Sequence, residues 1–497
     1  MFSFNIQYSS ADDLFQAKQK LGEYVPQHLL IQVFSGNPAE DYVAELLGQL
    51  TKIFPGVPIL GATTAGEIMD GASLEKTTVI NFSRFDKTTV QTAFIDQNDD
   101  MHDAGRRLGL ALARKDCRLA IVFGCGIKDG GAVNGEPLLA GFQEACPTLV
   151  ISGGQAGDNG LAKQTFVFTE HGHTGKGAAA AVLSGDSLRV GTDYNLSWVP
   201  LGKKMTITAA TGTCIHTIDN RPAKDLYSHY LGEHIAGRLP QSAAEFPLVV
   251  RRHGVLLARH ANRVLPDGSL EFMAPFYTGE TVQFSFCHSG LVAESARATF
   301  SRFASSPCDV VFIYSCLSRK WVLGEDSKLE LQPLAGLAPT AGFFCYGEYF
   351  RNEDDNMFLS QTMTVLTLAE DGVGRADTEP VQSLEVQDYR SKQVQDLQAL
   401  HRLVETSAEE REAVIKELQE ALNEIKTLRG FIPICANCKN IRDDKGYWQK
   451  IEKYIQDNTE AQFSHGVCPD CMEKLYPEIM EKIRRDKAAA GDKTPAV

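Results

Sequence analysis

Two Cys-x-x-Cys pairs, Cys435-Ala-Asn-Cys438 and Cys468-Pro-Asp-Cys471, hold four of the twelve cysteines of this chain. Tetrahedral zinc takes four soft or borderline donors, and each such pair supplies two thiolates. Neither pair is followed by histidine, which excludes covalent attachment of c-type haem. An iron–sulfur cluster takes the same four ligands, and a redox-active pair is a further chemistry open to Cys-x-x-Cys. The second pair runs into an amphipathic segment, Met472 to Arg485, and a helix N-terminus favours thiolate charge. His465, three residues before Cys468, reads as a surface or neighbouring group rather than a ligand. The stretch 430–485 is too short to fold on core burial alone, so a metal would supply much of its stability. A zinc-ribbon or treble-clef-like module is expected, with the helix containing Trp448, Ile451 and Ile455 packed over a metal held by Cys435, Cys438, Cys468 and Cys471.

A second set of residues suits ligand binding rather than metal. Glu67, Asp158 and Glu348 each follow a glycine at a predicted strand end, where α/β proteins bind ligands. Arg319 follows an apolar strand and is able to grip a carboxylate bidentately. An acid with an arginine forms a receptor for the ammonium and carboxylate of an amino acid. The competing reading is structural: the acids cap turns or helix starts, and Arg319 pairs with one of them. Arg319 and Glu348 are expected to line one cavity.

The elements that would position these groups are short apolar runs bounded by Gly, Pro, Asn and Asp, an α/β or α+β pattern with several β-α-β units. Three buried strands recur: Leu29-Leu-Ile-Gln-Val-Phe34, Leu119-Ala-Ile-Val-Phe123 and Val310-Val-Phe-Ile-Tyr314. After each, a second strand begins near Pro58, Pro147 or Pro339 and ends in glycine plus acid, the middle version carrying two extra residues. Either a threefold repeat or chance recurrence of strand-turn chemistry accounts for this. From Gln382 to Arg429 the composition turns to Glu, Gln, Lys, Arg, Ala and Leu without Pro or Gly. Val394, Leu397, His401, Val404, Ala408, Arg411, Ile415, Leu418, Leu422 and Ile425 follow steps of three and four, a heptad seam. A parallel dimeric coiled coil is expected there, against the alternative of an amphipathic helix lying on the globular body. Five parts follow: α/β regions 1–215 and 216–380, a coiled-coil linker 382–429, the four-cysteine module 430–485 and a disordered tail 486–497.

The bulk numbers exclude some classes of function. A net charge of −14 repels a phosphate backbone, and 430–485 holds nine basic and nine acidic residues, so no nucleic acid is expected as a partner. No apolar stretch approaches the ~20 residues of a membrane span, and Met1-Phe-Ser-Phe-Asn-Ile6 lacks the order of a secretory signal. A cytoplasmic protein with no membrane partner is expected. The eight scattered cysteines mostly lie in apolar runs and read as small buried hydrophobes. No Walker A sequence, Gly-x-Ser-x-Gly elbow or His-Glu-x-x-His occurs, so no enzyme and no catalytic residue is assigned.

Several ordered segments carry a family resemblance: Gly61-Ala-Thr-Thr-Ala-Gly-Glu-Ile68, Gly153-Gly-Gln-Ala-Gly-Asp158, Trp198-Val-Pro-Leu-Gly202, and the run from Asp219-Asn-Arg-Pro222 to Gly232. Ser315-Cys-Leu-Ser-Arg319, Gly342-Phe-Phe-Cys-Tyr-Gly-Glu348 and Gln361-Thr-Met-Thr364 complete the set. With them the chain resembles the FIST sensory proteins, in both their N- and C-terminal parts. Ser360 departs from the asparagine expected before Gln361. Residues 428–478 are similar to a cysteine module found at the ends of bacterial response regulators and sensor proteins, the similarity resting on Pro433 to Asp444, Gly446-Tyr-Trp448 and Phe463 to Cys471. The resemblance implies bacterial signal transduction by sensing of a small ligand, an amino acid or related metabolite. It also implies a signalling partner: a histidine kinase, a response regulator or a cyclic-di-GMP enzyme. Some members are haem-binding nitric-oxide sensors, so haem is a second cofactor the resemblance allows, with His216, His229 and His234 as the histidines in the neighbourhood.

Overall fold

Continuous apolar runs suit strands that are covered on both faces, and the three recurrent runs form such strands: Leu29–Ser35, Cys117–Gly124 and Val310–Cys316. The computed structural model describes residues 1–96, 100–352, 355–370, 390–429, 432–443 and 445–489. Two bodies result, Met1–Glu409 and Glu410–Val497. Residues 382–389 of the expected linker and 490–497 of the expected tail lie outside the described residues.

In the first body each leading strand lies parallel to the strand after its crossover: Ile59–Thr63, Val150–Gln155 and Thr340–Cys345. The crossovers are the helices Glu40–Ile53 and Glu136–Ala145, and the pair Leu317–Leu323 and Lys328–Ala335. An antiparallel return strand flanks each leading strand: Thr78–Arg84, Ala178–Ser184 and Met363–Glu370. Beyond it lies an outer strand, Phe2–Gln7, Thr89–Ile95 or Leu188–Asn195. The recurrence is a threefold structural repeat.

The three sheets interlock. The first unit's hairpin, Glu67–Met69 with Ala72–Leu74, joins the third unit's Thr340–Cys345. The second unit's Val167–Thr169 and Gly172–Thr174 join the first unit's Ile59–Thr63. The third unit's Glu348–Asn352 and Asp355–Leu359 join the second unit's Val150–Gln155. Gly61, Gly153 and Gly342 occupy one register, opposite Val33, Val122 and Ile313. At Gly153 (φ 129°) and Gly342 (φ 157°) a Cβ would stand 2.0 and 1.9 Å from the carbonyl oxygens of Val122 and Ile313, so only glycine fits.

One residue further along, Phe34, Phe123 and Tyr314 meet between the sheets. Ring centroids lie 6.3 Å apart for Phe34–Phe123 and 5.7 Å for Phe123–Tyr314. Phe343 stacks on Phe34 at 5.4 Å and meets the other two edge-on. Such pairs contribute about 0.5–1.5 kcal/mol each beyond area burial.

The third unit is interrupted after Leu188–Asn195 by an antiparallel sheet. Its order is Val255–Arg259, Leu248–Arg252, Thr281–Phe286, Val199–Thr211, Cys214–Ile218, Leu270–Phe272 and Ala261–Val264, with Arg221–Pro222 paired on Cys214–Ile218. The boundary expected at residue 216 falls inside one of these strands. Helix Ala223–Leu231 covers the sheet through Leu226, Tyr227, Tyr230 and Leu231. The unit resumes at helix Ser289–Ala304.

The heptad-patterned segment is one helix, Arg390–Arg429. Leu400 and Leu403 join the core of the inserted sheet, and Leu403 and Ser407 lie over Gly202. The seam residues Val404, Ile415, Leu418 and Leu422 are instead exposed. The reading of an amphipathic helix lying on the body thus holds at Leu400 and Leu403. The side chains of Val394, Leu397, His401 and Ile425 lie outside the described residues.

The second body holds the short strands Ile441–Arg442 and Trp448–Gln449 and the helices Ile451–Asn458, Pro469–Leu475 and Pro477–Ala489. Trp448 stands in a strand rather than in the helix expected to carry it, because Lys450 caps the helix start. No described helix is long and apolar enough to cross a membrane.

Candidate functional site

Glu67 and Glu348 open equivalent hairpins, paired at the same register with Phe343 and Gly154. Thr64 donates to Glu67, and three residues before Glu348 the Cys345 thiol donates to its Oε1 at 3.2 Å. Thr77 donates to Glu67 Oε2 from its amide at 2.8 Å and its hydroxyl at 2.6 Å. Burial pushes both carboxyls above the ordinary range, Glu348 furthest, with the Arg319 charge pulling it only partly back. Glu67 is therefore an internal clasp, tying its hairpin to the return strand through Thr77, whereas Glu348 holds only Cys345 and its Oε2 is buried without a partner. At the matching place the middle unit has Val167, paired with Ala62.

Asp158 lies in the longer loop that the extra residues of the middle unit create, so it is not the third equivalent acid. Its carboxylate accepts the amides of Ala162 at 3.0 Å, Lys163 at 2.7 Å and Gln164 at 3.1 Å, together with the Tyr346 hydroxyl. Arg319 is buried against Glu330, its Nε 3.0 and 2.9 Å from the two carboxylate oxygens. Its Nη1 donates to the carbonyls of Leu196 at 2.7 Å and Gln361 at 3.2 Å. Burial alone would depress the guanidinium, but the Glu330 carboxylate outweighs it and holds the group above its ordinary value. Arg319 and Glu348 thus share the interior without lining the expected cavity: Arg319 is closed by Glu330, and Glu348 is fully buried away from the lining residues.

A cavity lies beside them. About 290 Å³ in volume, it opens at the carboxyl ends of the third unit's parallel strands, against the inserted sheet. Cys316 and Cys345, the last residues of those strands and register partners, line it from one side. His260, Asn262 and Met273 line it from the inserted sheet. Gly160, Ala162, Gln241 and Trp321 are exposed lining residues and form its mouth. The four acids and bases expected to bind ligand are not among the lining residues. Asp158 acts on the cavity indirectly, since it fixes Ala162 and Tyr346.

Sequence reasoning missed His260 and Asn262. His260 Nδ1 and Asn262 Oδ1 have no hydrogen-bond partner, and desolvation holds the imidazole down at about 4, so it is neutral at ordinary pH. The signal present was two polar residues spaced by two in an apolar strand region, Val255-Leu-Leu-Ala-Arg-His-Ala-Asn262, which places them on one face. The three histidines expected near a haem lie elsewhere. His216 Nδ1 bonds Ser269 Oγ at 2.9 Å, His229 packs edge-on against Tyr230 at 4.7 Å, and His234 is exposed.

In the second body Cys468 caps helix Pro469–Leu475, which carries Cys471. The amides of Cys438 and Asn437 hold the Cys435 thiol below its ordinary value, and the Cys471 amide does the same for Cys468. Each pair is thus drawn together as a knuckle. The two knuckles do not converge: among the described residues no three His, Cys, Asp or Glu side chains gather to hold a metal ion. The donor chemistry fits zinc, while the four-sulfur convergence expected from the spacing is not seen. His465 is exposed.

Three interlocked α/β units with an inserted sheet make up the first body, and a cavity opens against that sheet. The FIST N domain model matches residues 29–221 and the FIST C domain model residues 223–351. The chain carries both domains of the FIST family, and FIST domains are generally sensory domains for signal transduction. No curated protein matches the chain.

Proposed function

We propose that this chain is a cytoplasmic, non-enzymatic sensor that binds a small ligand in the cavity between the inserted sheet and the third unit. The observation that supports it is shared structure. The inserted sheet supplies His260, Asn262 and Met273 to the cavity, and its core receives Leu400 and Leu403 of the long helix. Ligand occupancy and helix placement act on one sheet, a contiguous route for coupling. The helix passes the signal to a histidine kinase, a response regulator or a cyclic-di-GMP enzyme. Filling the cavity tests the reading. Ala244→Phe, or Gln241→Trp at the mouth, should leave the melting temperature within a few degrees yet abolish the stabilisation that a cell-extract metabolite fraction gives the wild type. Equal stabilisation of both variants and wild type rejects the cavity.

The chain acts as a homodimer through its exposed seam. Leu418 and Leu422 are 60% and 49% exposed, and Val404 and Ile415 extend the same apolar line. Paired helices would cover it. Replacing Leu418 and Leu422 with lysine should halve the mass seen in sedimentation and leave the first body folded. An unchanged mass removes the coiled coil. Cys435, Cys438, Cys468 and Cys471 hold a structural zinc in this reading, a closed set that leaves no position for catalytic water.

A haem reading has one observation in its favour: His260 is a neutral imidazole in a cavity whose wall also carries the Cys316 and Cys345 thiols, all ligand types for haem iron. A Soret band that His260→Ala removes, while His216→Ala, His229→Ala and His234→Ala keep it, would select that alternative.

A further inference from the structure

We propose that the cavity takes an uncharged, flat ring with one hydrogen-bonding edge, an aromatic amide or lactam, and rejects zwitterionic amino acids and carboxylates. The inference rests on the cavity being the ligand site and narrows what enters it. No Asp, Glu, Lys or Arg is among the lining residues. The nearby ionisable groups are already committed. Arg319 is closed by Glu330, and Asp158 is closed by three amides and Tyr346. Glu348 lies outside the lining, its Oε1 accepting from Cys345 and its burial raising the carboxyl well above the ordinary range. An entering carboxylate or ammonium would lose its water and meet no opposite charge, a cost no hydrogen bond to a neutral partner offsets.

What the walls offer is different. His260, between strands Val255–Arg259 and Ala261–Val264, and Asn262 on the second of them both line the cavity, and each has hydrogen-bonding capacity the protein leaves unfilled. Asn262 Nδ2 already donates to Met273 Sδ at 3.7 Å, so the unfilled positions are His260 Nδ1 and Asn262 Oδ1. An amide oxygen accepts and an imidazole nitrogen donates or accepts by tautomer, so the pair covers both roles. A planar amide matches that combination: it carries one donor and one acceptor side by side. Across the cavity stand the sulfurs of Cys316 and Cys345, with Met273 beside Asn262 and the Trp321 ring at the mouth. Sulfur contacts and an indole face favour an aromatic body.

The test uses the full chain and three probes with similar apolar bodies: 2-naphthamide, 2-naphthoate and L-tryptophan, titrated by ligand-observed nuclear magnetic resonance at neutral pH. 2-Naphthamide should bind at least about tenfold more tightly than the other two, the scale on which a site rejects a mismatched polar group. Asn262→Leu and His260→Leu should each erase most of that preference while the melting temperature holds. Tighter binding of 2-naphthoate or L-tryptophan, abolished by Ala244→Phe and Gln241→Trp, overturns the ligand class and leaves the cavity as the site. Binding of 2-naphthamide that survives both blocking variants, or no binding by any probe, overturns the cavity itself.

Discussion

Arg319→Leu is expected to destabilise the first body by about 3–5 kcal/mol, since it leaves the Glu330 carboxylate buried without its charge partner. The size follows from burial: Arg319 and Glu330 are 1% and 2% exposed, so water cannot take over the lost contacts. The guanidinium also holds the carbonyls of Leu196 and Gln361, which the leucine would abandon. Those carbonyls stand at the exit from strand Leu188–Asn195 and just before the return strand Met363–Glu370, so the lost bonds loosen the seam that frames the inserted sheet. Glu330 also accepts from Asn195 Nδ2 at 3.1 Å. Combining Arg319→Leu with Glu330→Leu should recover most of the loss, because a well-packed apolar pair replaces a buried ion pair at little net cost. Denaturant midpoints of the four proteins decide the matter. A single variant as stable as wild type would mean that the pair is not closed in solution and that Arg319 is free to meet a ligand.

The other large effect concerns the second body. Cys438→Ser should release zinc and unfold residues 432–489, because a structural zinc supplies about 10–16 kcal/mol of folding free energy in modules of this size. The exposure pattern shows how little else holds it. Ile432, Ile434, Tyr447, Trp448, Ile451, Leu475 and Tyr476 are all exposed, and Ile441 is the buried hydrophobe among the described residues from 432 on. Zinc binding would bring the two knuckles together and give those side chains a surface to close on. The first body should keep its own melting transition. One zinc per wild-type chain and none in the variant, by elemental analysis, is the expected result. Iron with labile sulfide would replace zinc with a cluster, and a metal-free wild type with a protected module would end the proposal.

Much of the first body was legible. The runs around Ile31, Ile121 and Phe312 read as buried strands because they are apolar but for Gln32. Glycine-plus-acid, expected at the ends of the partner strands, falls after them, at the start of the next hairpin for Glu67 and Glu348. The equivalence of Glu67 and Glu348 could be read from spacing, since Gly61 and Gly342 precede them by the same interval. Asp158 misled because its local motif matches, while the two extra residues move it out of register and bring Val167 to the hairpin start instead. Arg319 announced itself as an arginine near a buried strand, yet its partner Glu330 sits on a separate helix whose placement no local pattern encodes. His260 and Asn262 were hidden for a like reason. Their environment is created by the inserted sheet meeting the third unit, a long-range contact with no periodic trace. In the long helix the seam was visible in the heptads, but Leu400 and Leu403 were not, because a second apolar stripe looks like noise until the body it covers is known.

The exchange of hairpins sets an order of events during synthesis. Glu67–Met69 finds its partner only when Thr340–Cys345 has been made. At translation rates of ~5–20 residues per second that interval is roughly 15–55 s. Through it, the first sheet also lacks its own outer hairpin until Val167–Thr169 arrives. A nascent chain of this protein therefore exposes unpaired strand edges for most of its elongation, and no single unit is a complete product by itself. Its quality control is posed at the ribosome, before any ligand is present to be sensed.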